Sequence, residues 1–185
     1  MSKADILRYM RTSSKTDNEQ ILALADKAIE IIKETAVPKT LCRVFDCEVG
    51  EDTVTIDGVT FNSKRLAQNM SDCKKAAVFG ATLGIAVDKR IKVASATDVA
   101  LAMALQAAAA DKIEEVCDNL EETIKAQYGV TLRQRYSPGY FDLDITEQKK
   151  FFSLLQLEKR IGLTLTETCE MVPTKSVTAF IGMEG

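Results

Sequence analysis

The stretch ATDVALAMALQAAAADKIEEVCDNLEETIKAQYG, residues 96–129, constrains the fold of this chain more than any other. It has no proline, and no glycine before Gly129, so a helix is expected from Ala96 to Tyr128. Thr97 or Asp98 would cap its start and Gly129 would close it. Its alanine content invites a membrane reading, but the uncharged run from Val99 to Ala110 is far short of the ~20 residues a bilayer requires. The segment therefore reads as a core helix whose alanines let another element approach closely. With 185 residues, 46% of them hydrophobic, the chain can bury such a helix within one domain spanning residues 1–185.

The flanking segments supply the partners. A short helix is expected near Lys3 to Arg11. TDNEQILALADKAIEIIKETAV (16–37) reads as an amphipathic helix, with Thr16 and Glu19 at capping-box spacing and Pro38 as its stop. LCRVFDCEV (41–49) is rich in β-formers, and DTVTIDGVTF (52–61) has an Asp57-Gly58 pair suited to a two-residue hairpin turn. NSKRLAQNMSDC (62–73) reads as a surface helix capped near Asn62 or Ser63, and KKAAVFGATLG (74–84) as a buried strand entering a glycine turn. Near the end, EQKKFFSLLQLEKRIG (147–162) reads as a helix capped by Gly162. Two strand segments, LTLTETCEMVP and KSVTAFIGM, then meet at Pro173-Thr174-Lys175. Helices and strands mix without a regular βαβ repeat, which predicts an α+β fold with a mainly antiparallel sheet flanked by helices.

Composition removes several kinds of chemistry. A net charge of −3 leaves no basic excess for nucleic acid. The chain has no histidine, which excludes imidazole metal sites, Ser-His-Asp catalysis and a histidine base together. Its five cysteines form no C-x-x-C pair and read as reduced, mostly buried thiols. The first residues lack the apolar core of a signal peptide, so a cytoplasmic location is expected.

The candidate site lies in RYSPGY (135–140). Pro138 presets φ and Gly139 supplies the positive φ of a type II turn, so Ser137 to Tyr140 should reverse tightly with Arg135 and Tyr140 on its two arms. A guanidinium beside a rigid turn suits bidentate capture of a carboxylate, and equally suits bracing a loop. The nearby Asp142, Asp144 and Glu147 read better as helix-capping and first-turn acids than as an acid–base pair. GATLG (80–84) fails both the P-loop and the dinucleotide-binding patterns, and its glycines mark a turn or a close backbone approach.

The order RYSPGYFDLDITEQKKFFSLLQLEKRIGLTLTETCEMVPTKSVTAFIG resembles the C-terminal activation domain of cobalamin-dependent methionine synthase. The resemblance rests on Arg135 followed by Gly139-Tyr140, on Asp144-x-Thr146-Glu147, on Glu158-Lys159 and on the closing Leu-Thr-Glu…Pro…Ser-Val segment. It implies a domain that binds S-adenosylmethionine through Arg135, Tyr136, Gly139 and Tyr140, with the arginine on the ligand's carboxylate. The cobalamin would sit on a partner, either a separate methionine synthase subunit or another corrinoid protein, with a flavodoxin-type reductase supplying one electron. The chain would then be an accessory component of a methyltransferase, not an enzyme active alone. The sequence stops at Gly185, whereas the family's domain continues through a segment with an aromatic pair. That leaves a second reading open, a non-catalytic docking module for a corrinoid protein. An independent methyltransferase ranks last, for want of a glycine-rich nucleotide fingerprint.

Overall fold

The computed structural model describes residues 1–184. Four helices collect on one face of the sheet: α1 (Lys3–Tyr9), α2 (Glu19–Thr35), α4 (Ile85–Thr97) and α5 (Val99–Tyr128). Three helices cover the other: α3 (Lys64–Asn69), α6 (Gln148–Leu155) and α7 (Leu157–Ile161). Between them runs an antiparallel sheet in the order β3-β2-β1-β4-β8-β5. Its strands are β1 (Lys39–Val49), β2 (Thr53–Ile56), β3 (Val59–Asn62), β4 (Lys75–Thr82), β5 (Thr131–Leu132) and β8 (Ser176–Glu184). The α+β expectation, with a mainly antiparallel sheet, holds. No helix among the described residues is long and apolar enough to cross a membrane.

The central strands explain the two-layer burial. In β4, Ala77, Phe79 and Ala81 enter the core beneath the long helix, while Ala76 and Val78 enter the opposite one. In β8, Ala179 and Ile181 take the first side and Phe180 the second. This is the period-two alternation of a strand covered on both faces. Phe180 packs edge-on to Phe61 and tilted on Phe151, with ring centroids 4.7 and 4.2 Å away.

The long helix is shorter at its start than expected. Residues 85–97 form the separate helix α4, and Asp98, in an extended conformation, divides it from α5. The Asp98 backbone N–H donates to Ala94 O, while its side chain accepts from the Leu101 N–H at 3.0 Å, so one residue ends a helix and starts the next. The buried alanines 102, 104 and 107–109 line the face of α5 that joins the core, as close approach requires.

Other boundaries moved for local reasons. Asn18, not Thr16, caps α2, because its carbonyl oxygen reaches the N–H groups of Gln20 and Ile21 at 3.0 and 3.2 Å. The helix expected over 147–162 breaks at Gln156, whose φ is +53°, giving α6 and α7. LTLTETCEMVP supplies β6 (Thr164–Leu165) and β7 (Met171–Val172), which pair in a ladder of their own, while β8 goes to the heart of the main sheet. Strand β5 had no counterpart in the sequence reading. The Asp57-Gly58 turn, with both residues at positive φ, and the Ser63 cap of α3 are as expected.

Candidate functional site

The turn forms as its residues dictate. Gly139 has φ +89°, and the Tyr140 N–H donates to Ser137 O at 3.3 Å. Just before it, Tyr136 exchanges both backbone hydrogen bonds with Phe180 of β8, which ties the loop to the sheet. Asp142 closes the loop from behind. It accepts from the Ser63 hydroxyl at 2.5 Å and from the Arg65 N–H at 3.1 Å, so it helps cap α3 from a distant part of the chain. Asp144 caps the 3-10 turn Ile145–Glu147 through the Thr146 N–H at 2.8 Å, whereas Glu147 pairs with Lys150 at 2.7 Å.

A cavity of about 910 Å³ lies beside this turn, a size suited to a small-molecule ligand. Its position follows from the sheet. Phe180 and Gly182 direct backbone groups away from β4, toward residues 136 and 133. By strand alternation the peptide groups of Ser176 and Thr178 face the same side. Strand β5 reaches only Met183 and Glu184. The edge of β8 at Ser176–Thr178 is thus left open among the described residues, and it lines the cavity. Gln148, buried at 3% exposure, accepts from the Thr178 hydroxyl at 2.5 Å on that edge.

The wall formed by α5 is charged. Arg135 donates through Nη1 to Asp118 and Glu121, at 2.8 and 2.6 Å, and through Nη2 to Glu114 at 2.8 Å. Burial opposes the guanidinium's charge, but the hydrogen bond to Asp118 and the fields of Glu121 and Glu114 prevail and hold its proton more tightly than usual. A guanidinium has five N–H donors. Three are engaged here, leaving Nε–H and one Nη2 hydrogen without a partner. The three acids and one arginine sum to −2, so a further carboxylate meets net repulsion unless it arrives with positive charge of its own. Next to Arg135, burial pushes the Cys117 thiol up to about 12, which keeps it a neutral packing group.

The expected site residues divide. Arg135, Tyr136 and Tyr140 all line the cavity, and Gly139 makes the turn that positions them. The Tyr136 ring is buried, with its hydroxyl donating to Asp142 at 3.4 Å. Tyr140 is 63% exposed, and no hydrogen bond or cation–π contact joins it to Arg135 among the described residues. Phe141, 79% exposed, stacks on Tyr136 and lies 5.7 Å from the Arg65 guanidinium. The sequence reading missed the acids that hold Arg135, although Glu114, Asp118 and Glu121 recur at i, i+4 and i+7 on one helix face. It also missed Gln148 and the α3 residues Gln68 and Asn69, for which no local signal exists.

Comparison with known proteins bears on what such a site serves. The family model described as "Vitamin B12 dependent methionine synthase, activation domain" matches residues 67–184. The crystal structure of the MetH reactivation domain bound to AdoHcy superposes with a TM-score of 0.67 and 19% identity. That match covers 90% of the present chain and 65% of the other, so the chain spans about two-thirds of the length of that structure. None of the curated proteins matches.

Proposed function

Because the chain belongs to the vitamin B12-dependent methionine synthase activation domain family, we propose that it binds S-adenosylmethionine in the cavity beside Arg135 and presents the methyl group to a cobalamin carried by a separate methionine synthase. The observation that carries this reading is the Arg135 guanidinium, fixed by three acids on a cavity wall with two donors still unused. The ligand carries one carboxylate, one ammonium and one sulfonium, a net charge of +1. Such a molecule suits a wall that offers one guanidinium and an excess of acids. The structural relative was crystallised with AdoHcy, the product left when that methyl group departs.

In this reading Arg135 takes the carboxylate through Nε–H and the free Nη2 hydrogen, while Glu114 and Glu121 face the cationic groups. Gly139 makes the turn, and Tyr136 and Tyr140 wall it. A cobalamin held by the partner would supply the nucleophile, once a flavodoxin-type reductase had delivered one electron to it. Transfer of the methyl group to that nucleophile would leave the S–CH3 electron pair on sulfur, so the chain would need neither a proton donor nor a histidine. The chain's own contribution is to hold and orient the donor. The exposed lip of Tyr140, Phe141 and Ile145 is where the partner would close over the sulfonium.

Calorimetric titration tests the assignment. S-adenosylmethionine is expected to bind the wild-type protein, and Arg135→Ala to weaken it by about tenfold or more. Absence of binding to the wild type, alone and with the corrinoid partner, would defeat the reading. The three ion pairs already on Arg135 favour a second one, in which the domain is a docking module that holds a corrinoid protein without any methyl donor. Capture of the partner that is indifferent to S-adenosylmethionine, together with no calorimetric signal, would establish it.

A further inference from the structure

Helix α4 presents a surface that the cavity does not use. Val87, Ile91 and Ala94 turn its inner face to the core. At about 100° per residue, Ile85, Lys89, Lys92 and Val93 then share the outer face, with Arg90 on its flank. All five are exposed, Ile85 by 48% and Val93 by 59%. Lys89, Arg90 and Lys92 make no ion pair among the described residues, whereas both lysines of α5 pair with glutamates of their own helix. The one acid of α4, Asp88, is engaged elsewhere: it accepts from the Thr174 N–H and hydroxyl at 2.8 and 2.9 Å. The helix thus carries a net +2 in a chain of −3. Lys39 adds another exposed cation near its start, opposite Thr82 in the β1–β4 ladder.

We propose that the outer face of α4 docks a carboxylate-rich protein surface, that of the one-electron donor. This rests on the reading of the cavity, which calls for two partners. A corrinoid carrier would cover the lip of Tyr140, Phe141 and Ile145, and the donor must approach without displacing it. Helix α4 is placed for the second. Thr174, held by Asp88, stands two residues before Ser176, where β8 begins to line the cavity. The basic helix therefore starts at the same end of β8 as the cavity, while the lip belongs to another loop. Aliphatic side chains among unpaired cations suit an interface with an apolar centre and a charged rim. Carboxylates on the partner would neutralise that rim and speed the encounter. A symmetric dimer through this face would instead set like charges against each other. A lipid surface calls for the aromatic or leucine side chains that an interfacial helix inserts, and the outer face of α4 has none.

The experiment measures flavodoxin binding by surface plasmon resonance to wild type, Lys89→Glu/Lys92→Glu and Lys89→Arg/Lys92→Arg, with circular dichroism as the check on folding. Wild type should bind flavodoxin and lose about tenfold in affinity as salt rises from about 0.05 to 0.5 M and screens the charges. The charge reversal should weaken binding by about tenfold or more, and the arginine pair should preserve it. All three proteins should bind S-adenosylmethionine equally by calorimetry, since neither lysine lines the cavity. A wild type that does not bind flavodoxin, or a reversed variant that binds it as tightly as wild type, overturns the docking face and leaves the cavity's function intact. Binding to phosphatidylglycerol vesicles that the reversal abolishes, with flavodoxin binding unchanged, assigns the face to a membrane and overturns the proposal equally. Charge-dependent flavodoxin binding by a wild type that takes no S-adenosylmethionine supports the docking face and overturns the reading of the cavity.

Discussion

A Cβ built on Gly80 would stand 2.7 Å from Leu157 Cδ2 and 3.1 Å from its Cδ1, and Leu157 is fully buried between β4 and the short helices. Glycine is there because α7 lies directly on the strand, not because the backbone turns. Gly80→Ala is expected to destabilise the protein by about 1–3 kcal/mol through overpacking. The check is urea unfolding, where the midpoint should fall with the slope unchanged; an unchanged midpoint would mean that Leu157 has room to move. Gly139 differs, since its φ of +89° demands glycine whatever the space. The second case was legible because Pro-Gly states its own backbone requirement. The first was legible only as "turn or close approach", since the atom that approaches is 77 residues away (157 − 80). At Arg135 the guanidinium beside the turn was visible, but the acids that occupy three of its donors come from a different element.

Among the elements, α3 shows how a helix of six residues is held. Ser63 caps it locally, and Asp142 reaches across to the Ser63 hydroxyl and the Arg65 N–H. The bond from Ser63, followed by those from backbone N–H groups, holds the Asp142 carboxyl below the usual carboxylate range. A folded-state value below the unfolded one means the stabilisation is present above the unfolded pKa of about 4 and is lost as pH falls through the folded value. The protein should therefore lose stability on acidification below about pH 4, and Asp142→Asn should flatten that part of the profile. Denaturant midpoints between pH 2.5 and 6 for both proteins measure it, and parallel profiles would show that Asp142 contributes nothing.

For the molecule as a whole, the two hydrophobic cores are not independent, because β4 and β8 contribute side chains to both. Losing either helical layer would expose one face of the same central strands. Unfolding is expected in one cooperative step, with far-ultraviolet circular dichroism and tyrosine fluorescence following the same curve; two separated transitions would refute this. The arrangement also creates the cavity. One layer brings α5 and its acids, the other brings α3 and α6, and the strand between them lacks a neighbour at Ser176–Thr178 because β5 is only two residues long. A longer β5 would extend the sheet and fill the space where the ligand is proposed to lie.

Local sequence sufficed for most of the elements and for the turn. Capping residues, apolar periodicity and the φ requirement of glycine act within about four positions along the chain, so a short window contains the whole interaction. That is why the hairpin at Asp57-Gly58, the reversal at Ser137–Tyr140 and the helical character of residues 99–128 were legible. The splitting of the C-terminal strands between two sheets, the ion pairs on Arg135 and the capping of α3 by Asp142 emerged with the packed fold. Each of these joins groups that are far apart in sequence. Such pairings are set by which surfaces the layers bury together, and no short stretch of residues records that.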